Sequence, residues 1–315
     1  MMARIWTMGE ILVEVMRRDV DKSFLEPDVF IGPFPSGAPA IFIDTVARLG
    51  GKAGIIGTVG NDDFGKCVMN RLEADGVDIS EVKVDEKGTT GVAFVTYFSD
   101  GERKYIFHLS NSAASKIEKP QEVKEADLFH VMGCSMTMNE KAYEEIISTM
   151  KAFISKGAKV SFDPNIRPEL LHGRSFRDFT GEIMKNCSFL LPGVEELKLL
   201  SGKDSIEDAV SSLFENPVLE VIALKRGKHG CTVYTRDNSY SFGIYDIPPM
   251  DATGAGDCFD GAFLQSYLSG LSMEESIKVA TAAASLNTGA FGPMEGKVSH
   301  ESIAQTINGD LYIEL

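Results

Sequence analysis

The sequence predicts an α/β fold in which a central, mostly parallel β-sheet is flanked by helices and carries a small β-sheet lid. Two observations support this prediction. Short β-rich runs alternate with segments of helical periodicity along most of the 315 residues, and two segments in the N-terminal half show extended patterns instead. A chain of this length can bury a full hydrophobic core, and we expect a single domain over 1–315.

The alternating part begins with KAGIIGTVG at 52–60, a run typical of a buried strand. Further strands are predicted at ADLFHVMG (126–133), AKVSFDP (158–164), CSFLLPG (187–193) and LEVIALKRG (219–227). Apolar residues at helical spacing predict helices at 64–76, 138–157, 194–201, 255–269 and 273–289. Helices between successive strands favour a parallel sheet, because the chain must return to the same edge before each new strand.

Two segments predict the small sheet. Residues 3–16 continue into an extended stretch to about 35, and 89–109 alternates with period two on both sides of an SDGE turn. The second pattern is typical of a β-hairpin. Together the segments predict a lid formed by about 10–35 and 89–110, projecting from the main body.

Composition argues against several classes of partner. The formal net charge of −15 would repel nucleic acid and anionic membranes, and no apolar run has the length of a membrane span. The five cysteines are scattered without a CxxC pair, which fits neither a zinc site nor a compact disulfide framework. We therefore expect buried thiols in a reducing compartment, and a cytoplasmic protein.

The segment GNDDFGKC (60–67) approaches the phosphate-binding pattern G-x4-G-K-[ST], but Cys67 stands where that pattern needs Ser or Thr. Asp62 and Asp63 would also repel a phosphate. A turn that leads into an amphipathic helix is therefore the favoured interpretation. No G-x-G-x-x-G follows a predicted strand, so a dinucleotide-binding dehydrogenase has no support.

The segment DATGAGDCFDGAF (251–263) carries the strongest chemical signal. Its TGAG run (253–256) is made of small residues whose backbone N–H groups can converge, and an apolar helical pattern follows. A helix N-terminus of this kind favours negative charge and would stabilise a phosphoryl group in transfer. Asp257, in the first turn, is a candidate general base for a substrate hydroxyl. The alternative is that the aspartates of this segment only cap the helix.

The same segment is similar to the C-terminal signature of the ribokinase-like (PfkB) carbohydrate kinases, and SGAPAIFIDTVARLGGKAGIIGTVGNDDFG (36–65) resembles their N-terminal signature. Between them, SFDPNIRPEL (161–170), LLPGVEEL (190–197) and ALKRGKHGC (223–231) follow in the family's order. The resemblance extends over essentially the whole chain. It implies a ribokinase-like fold and an ATP-dependent kinase, and DPNIRPEL with SGAPA favours the fructokinase and 2-keto-3-deoxygluconate kinase branch.

The resemblance also implies roles for individual positions. Asp257 matches the catalytic base, and the anion hole for the γ-phosphate matches Gly254, Ala255 and Gly256. Mg²⁺ held through water is implied for Glu196. A monovalent cation, expected to be K⁺, is implied for Asp251, Thr253, Ala284 and Gly289. The implied nucleotide-binding positions are Lys225, Gly227, Gly230 and Asn287, whereas Asp260 is interpreted as a helix-capping acid.

On the sugar side, the candidates are Glu14, Gly37, Ala38, Arg103, His108, Asn165 and Arg167. Some of them have a plain structural alternative. For Glu14 and Arg103 the alternative is an exposed charge, for His108 a half-buried residue of the hairpin, and for Arg167 a structural ion pair.

Several positions depart from the family pattern or bear on the substrate. Gly193 replaces the Asn that begins the family's N-x-x-E motif, Ile41 replaces a sugar-binding Asn, and Glu14 replaces an Asp. Leu109 stands where deoxygluconate kinases commonly place an Arg for the substrate carboxylate. A neutral ketohexose such as fructose or tagatose is therefore the first choice of substrate, followed by a sugar acid, with ribose as a further alternative.

The sequence thus predicts an ATP-dependent sugar kinase that uses Mg²⁺ and phosphorylates a primary hydroxyl. A kinase-like sugar-sensing protein without turnover is the non-enzymatic alternative. The expected ligands of the protein are a small sugar and ATP, with no nucleic-acid or membrane partner. The resemblance also suggests a homodimer formed through the lid.

Overall fold

The computed structural model describes residues 2–99, 103–171, 173–309 and 312–313. The strands in these ranges are β1 (Arg4–Met8), β2 (Leu12–Arg17), β3 (Phe30–Ser36), β4 (Lys52–Gly60), β5 (Asp78–Asp85), β6 (Gly91–Tyr97), β7 (Arg103–His108), β8 (Leu128–Met132), β9 (Lys159–Asp163), β10 (Cys187–Leu190), β11 (Val221–Lys225), β12 (Cys231–Tyr234), β13 (Ser239–Phe242), β14 (Ile244–Tyr245) and β15 (Tyr312–Ile313).

The α-helices in the same ranges connect and cover these strands. They are α1 (Ala38–Arg48), α2 (Asp63–Ala74), α3 (Gly133–Thr137), α4 (Glu140–Ser155), α5 (Pro168–Leu171), α6 (Arg177–Met184), α7 (Val194–Ser201), α8 (Ile206–Leu213), α9 (Ala255–Leu268), α10 (Met273–Thr288) and α11 (His300–Asn308). All five helices predicted from periodicity are present, with ends that differ by no more than two residues from the predicted ones.

The large sheet has the strand order β13-β12-β11-β10-β9-β8-β1-β4-β5. Every pair from β11 to β5 is parallel, and β12 and β13 are added antiparallel at one edge. This arrangement confirms the predicted mostly parallel sheet. It also brings the carboxyl ends of β1, β8, β9, β10 and β11 together along one side of the sheet, its carboxyl edge, where α/β proteins bind ligands.

Helices cover both faces of this sheet, as two neighbouring residues of β8 show. The ring of Phe129 stacks on Phe153 of α4 with centroids 4.7 Å apart, and the ring of His130 stacks on Phe42 of α1 at 3.8 Å. Successive residues of a strand face opposite sides. Helices α4 and α1 therefore pack against opposite faces, and the core lies in two layers around the sheet.

A separate sheet has the order β3-β2-β6-β7, with β2 and β6 parallel and the outer pairs antiparallel. It is formed by the two segments that the sequence indicated, although β1, the start of the first segment, belongs to the large sheet. Strands β6 and β7 pair from Val92 with His108 to Tyr97 with Arg103. The predicted turn between them includes 100–102, which lie outside the described residues. Closure of this sheet as a lid stays a prediction, as does the single domain over 1–315.

The GNDDFGKC segment forms a capped helix start. The Asp62 carboxylate accepts hydrogen bonds from the backbone N–H of Gly65 at 2.9 Å and of Thr90 at 2.8 Å. An N-cap carboxylate occupies the donors that a phosphate would need. The interpretation as a turn leading into helix α2 is thus confirmed. Across the described ranges, the helices lack the combination of length and apolar composition that a membrane crossing requires.

Candidate active site

A cavity of about 210 Å³ lies between the carboxyl edge of the large sheet and one face of the small sheet. Strands β9 and β11 contribute Asp163 and Lys225, helix α9 contributes Asp257, and the small sheet contributes Glu14 and Arg103. Ligand cavities commonly have volumes of about 300–1,000 Å³ for drug-sized molecules, so this one suits a small polar ligand. The catalytic and sugar-side candidates are therefore brought together, except for Ala255 and His108, which do not line the cavity.

The anion turn predicted at 253–256 forms the start of helix α9. Gly254 is the N-cap residue, with φ of 76° in the left-handed region that L side chains rarely adopt. A Cβ at this position would lie 2.7 Å from the carbonyl oxygen of Pro293. Glycine is therefore required here on two grounds. The turn leaves the first N–H groups of α9 without helical partners beside the cavity.

Asp257 is the buried acid of this turn, with 6% of its surface exposed. Its Oδ1 accepts a hydrogen bond from Asn165 Nδ2 at 2.9 Å. Burial and the carboxylate of Asp163 raise the pKa of Asp257 to about 7, and Arg167 and Lys225 partly offset this rise. A general base is most effective when its pKa lies near the working pH. Asp257 therefore has the environment of a general base, which a solvated capping acid would lack.

Asn165 lies in the loop after β9 and has a positive φ of 38°. Its backbone N–H donates to Asp163 Oδ1 at 3.1 Å, while its side-chain Oδ1 is buried without a hydrogen-bond partner. A buried acceptor without a donor costs free energy unless a ligand or water supplies one. The loop thus presents an acceptor together with the donor that holds Asp257.

Glu196 joins two loops at the edge of the cavity. Its Oε1 accepts the backbone N–H of Ile166 at 2.8 Å, and its Oε2 accepts that of Gly193 at 2.7 Å. Burial and Asp163 raise its pKa. Each oxygen keeps one lone pair, which suits water-mediated contact with Mg²⁺ better than direct ligation. In the described part of the chain, no group of three or more His, Cys, Asp or Glu side chains is arranged to bind a metal ion.

Lys225 and Asp260 make contacts that the sequence did not predict. Lys225 is the last residue of β11, and its Nζ lies 2.8 Å from both Asp163 Oδ2 and Asp260 Oδ2. Asp260 is fully buried and lies beyond the first turn of α9, so its interpretation as a first-turn helix-capping acid is wrong. Gly227 begins a short 3₁₀ turn and Gly230 follows it, and neither residue lines the cavity around Asp257. Their contact with a nucleotide stays a prediction.

Glu14 is buried on the small sheet's cavity-facing side. Its Oε1 accepts a hydrogen bond from Ser36 Oγ at 2.7 Å, and its Oε2 is buried without a hydrogen-bond partner. Burial raises the pKa of Glu14 to about 7, even though the Ser36 hydrogen bond lowers it. The alternative of an exposed charge is therefore wrong. The neighbouring Gly37 and Ala38 also line the cavity.

The structure corrects the prediction for His108. In β7, residues Arg103, Tyr105 and Phe107 line the cavity around Asp257. His108 has the opposite parity and faces the outer side of the small sheet, where its ring contacts Phe94 with centroids 5.8 Å apart. Because side chains alternate along a strand, His108 and Arg103 cannot both face the sugar.

The Asp251–Thr253 turn is held by its own hydrogen bonds. Asp251 Oδ1 accepts from the N–H of Thr253 at 2.9 Å and from its hydroxyl at 2.7 Å, and Oδ2 accepts from the N–H of Gly292 at 3.1 Å. From the small sheet, Arg103 Nη1 reaches Thr253 Oγ1 at 3.2 Å and Tyr97 Oη reaches it at 3.3 Å. The turn and the small sheet are thus in direct contact.

One prediction near this turn needs correction, whereas the cation role of Ala284 stays a prediction. Ala284 lies within helix α10, and its carbonyl keeps a second lone pair beside the helical hydrogen bond. Asn287 is 2% exposed, and its Nδ2 donates to the carbonyl of Thr253 at 3.0 Å. It supports the turn instead of facing an adenine. Gly289 caps α10, and its cation role stays a prediction.

Several cavity residues were not among the sequence candidates, namely Glu10, Tyr105, Phe107, Cys134 and Asp163. Tyr105 and Phe107 could have been predicted, because they alternate with Arg103 along β7 and therefore face the same side of the small sheet. Asp163 and Glu10 could have been predicted from their positions at the carboxyl end of β9 and just after that of β1. Glu10 is buried and accepts hydrogen bonds from Ser135 Oγ and, at 3.3 Å, from Cys134 Sγ. Burial raises its pKa.

Comparison with known proteins identifies the family. A family model described as "pfkB family carbohydrate kinase" matches residues 32–299. The chain belongs to this family. The kinase is 31% identical over 313 residues to fructokinase-1 of Zea mays, covering 96% of both chains.

Solved structures agree with this assignment. The kinase is 36% identical, with a TM-score of 0.90, to an Escherichia coli structure provisionally named ribokinase II and crystallised with ATP and Mg²⁺, covering 98% of this chain and 99% of the other. A fructokinase double mutant from Vibrio cholerae O395, with bound fructose, ADP and potassium, has a TM-score of 0.84 at 24% identity over 97% and 98% of the two chains. At that identity the likeness supports the ribokinase-like fold alone.

Proposed function

We propose that the kinase transfers the γ-phosphoryl group of ATP to a primary hydroxyl of a ketohexose such as fructose or tagatose. The observation that carries this proposal is the buried Asp257, with its pKa near 7, in the first turn of α9 beside the anion turn. The sugar hydroxyl would give its proton to Asp257, its oxygen would bond to the phosphorus, and the bond to the leaving ADP oxygen would break.

The sugar side supports a neutral, hydroxyl-rich ligand. The unpartnered Oε2 of Glu14 offers an acceptor to a hydroxyl, as does Asn165 Oδ1. Leu109 and Ile41 line the same cavity and supply apolar surface. The Zea mays relative is named a fructokinase, which favours the same substrate class. Mg²⁺ would sit with the phosphates, and Glu196 would contact it through water.

A panel of sugars tests this proposal. With ATP and Mg²⁺, we expect ADP release to be fastest with fructose or tagatose and slower with ribose and 2-keto-3-deoxygluconate. Direct binding of each sugar is measured in parallel by calorimetry. Binding of a sugar without ADP release for any member of the panel would support the non-enzymatic sensing alternative and contradict the kinase proposal.

A second candidate substrate, a sugar acid, is favoured by Arg167. Its guanidinium lines the cavity, lies 5.9 Å from the ring centroid of Tyr105, and forms no ion pair within the described ranges. An unpaired guanidinium binds a carboxylate well. Faster turnover of 2-keto-3-deoxygluconate than of the ketohexoses in the same panel would select this candidate.

We also propose that a monovalent cation, expected to be K⁺, binds beside the Asp251–Thr253 turn through backbone carbonyls and Asp251. The two oxygens of Asp251 already accept N–H and O–H groups, so the cation would complete a site that is largely made by the protein. A cation there would fix the N–H donors of the anion turn.

Replacing K⁺ by tetramethylammonium at constant ionic strength is therefore expected to lower kcat roughly tenfold or more, because less organised donors stabilise the transition state less. The measurement is steady-state ADP release over a range of KCl concentrations. Equal rates in the two salts would count against a monovalent-cation site.

Finally, we propose a homodimer formed by the outer face of the small sheet. This face exposes 41% of Ile106 and 36% of Phe30, and both pack around the ring of Phe94. Light scattering is expected to give twice the chain mass of 34.3 kDa for wild type and the chain mass for Ile106→Lys, because a buried unpaired ammonium opposes association. A monomeric wild type would contradict the dimer.

A further inference from the structure

The ammonium of Lys225 lies at the floor of the cavity between two more deeply buried carboxylates. The side chain of Lys225 is 18% exposed, compared with 3% for Asp163 and 0% for Asp260. The cation is thus more exposed to the cavity than either carboxylate, although Asp163 also lines the cavity. A buried structural ion pair would need only one of them.

The geometry leaves Lys225 with an unused donor. An ammonium has three N–H groups, and Asp163 and Asp260 account for two of them at 2.8 Å each. The third remains available on the side that lines the cavity. Two fixed partners hold the ammonium in one position, which removes the flexibility that a lysine normally has.

Gly256 of the anion turn lies close to the ammonium. A Cβ built on Gly256 would find Lys225 Nζ at 3.8 Å as its nearest heavy atom outside the helix. Because Gly256 has no side chain, nothing from that residue separates the ammonium from the N–H groups of the turn. Lys225 also acts electrostatically on the carboxyl of Asp257. Ammonium, anion turn and base therefore surround one point of the cavity.

We propose that Lys225 is a catalytic residue that donates its third N–H to the phosphoryl group in transfer, with Asp163 and Asp260 as positioning residues. This inference rests on the proposed function and assigns Lys225 to the reacting phosphate, in contrast to the nucleotide-lining role implied by the resemblance. Lys225 keeps its own protons throughout. The hydroxyl proton goes to Asp257, the sugar oxygen replaces the ADP oxygen on phosphorus, and Lys225 stabilises the charge on the oxygens of that phosphorus.

The test compares ATP with ADP, because only ATP carries the γ-phosphoryl group. Lys225→Gln keeps N–H donors for the two carboxylates and removes the charge. We expect its affinity for ATP to fall roughly tenfold while that for ADP changes little, since one charge-assisted hydrogen bond is lost. We expect kcat with the best sugar to fall by about 100-fold. The matched control is Lys159→Gln, at the opposite end of β9 from Asp163, where an exposed lysine pairs with Glu220.

Equal loss of ATP and ADP affinity in Lys225→Gln, or kcat within about fivefold of wild type, would overturn the inference. If Lys225→Gln does not fold, Lys225→Arg gives the same comparison, because it keeps a cation for both carboxylates but displaces the charge. Selective loss of ATP affinity in that variant supports the inference, and equal or no loss overturns it. A wild-type protein that binds neither nucleotide would instead contradict the proposed function, so the two failures are distinguishable.

Discussion

Replacing Asp257 with asparagine is expected to lower kcat by about 10³-fold, because a general base contributes roughly 10²–10⁴ to such a reaction. This loss corresponds to about 4 kcal/mol of transition-state stabilisation. The amide keeps an oxygen that can accept the hydrogen bond from Asn165, so the loop and the anion turn should keep their positions. ATP affinity, measured by calorimetry, is therefore expected to change little.

The pH dependence provides an independent check of this prediction. Asp257 must be ionised to accept a proton, and burial raises its pKa to about 7. The single-turnover rate of the wild type should therefore rise with pH up to about 7 and level off above it. The residual rate of Asp257→Asn should lack this rise.

The control for this variant is Asp178→Asn. Asp178 is also a first-turn aspartate, but it lies exposed on α6 and away from the cavity. Its replacement should leave kcat unchanged. Activity of Asp257→Asn within tenfold of wild type would show that another group takes the proton.

Gly133→Ala is expected to lower the free energy of unfolding by about 3 kcal/mol and kcat/KM by at least about tenfold. A Cβ at Gly133 would lie 1.9 Å from the carbonyl oxygen of Pro164, so the loop after β9 would have to move. Asn165 follows directly in that loop and holds Asp257. Stability and activity should thus be lost together. Urea unfolding and steady-state kinetics measure the two effects.

Gly181→Ala is the matched control. Gly181 lies within helix α6, and a Cβ there would find no atom within 4 Å. Alanine favours a helix interior by about 0.5–1 kcal/mol over glycine, so this variant should be slightly more stable with unchanged kinetics. If Gly133→Ala matched Gly181→Ala in stability, the close approach to Pro164 would not be a constraint on the fold.

Periodicity predicted five of the helices, including α9, in which residues 257–266 are all buried. Helix α1 was missed; it contains the β-branched residues Ile41, Ile43, Thr45 and Val46, which favour strands when read from sequence alone. The small sheet was predictable as two extended segments. Its parallel pair β2 and β6 was not, since the segments are far apart in sequence and no turn fixes their register.

The candidate site shows the same limit. Asp257 and the Gly254 turn are local in sequence and were predicted as a unit. Lys225 donates hydrogen bonds to Asp163 and Asp260, which are separated from it by 62 and 35 positions in the sequence. That cluster depends on β9 and β11 lying on either side of β10. The prediction that His108 faces the sugar was wrong because His108 and Arg103 lie an odd number of residues apart in β7. Their side chains therefore point to opposite faces of the sheet, which counting residues along the strand would have shown.

Thr253 connects the order of the anion turn to the position of the small sheet. Its hydroxyl oxygen is contacted from two strands of that sheet, by Tyr97 on β6 and Arg103 on β7. At about 1 kcal/mol for each hydrogen bond, lifting the sheet would cost about 2 kcal/mol at this residue alone. That is a factor of about 30 in the ratio of closed to open molecules. Molecules in which the small sheet is lifted, and which therefore admit water to the cavity, should be a minority. The anion turn should be less ordered in them than in molecules with the sheet closed.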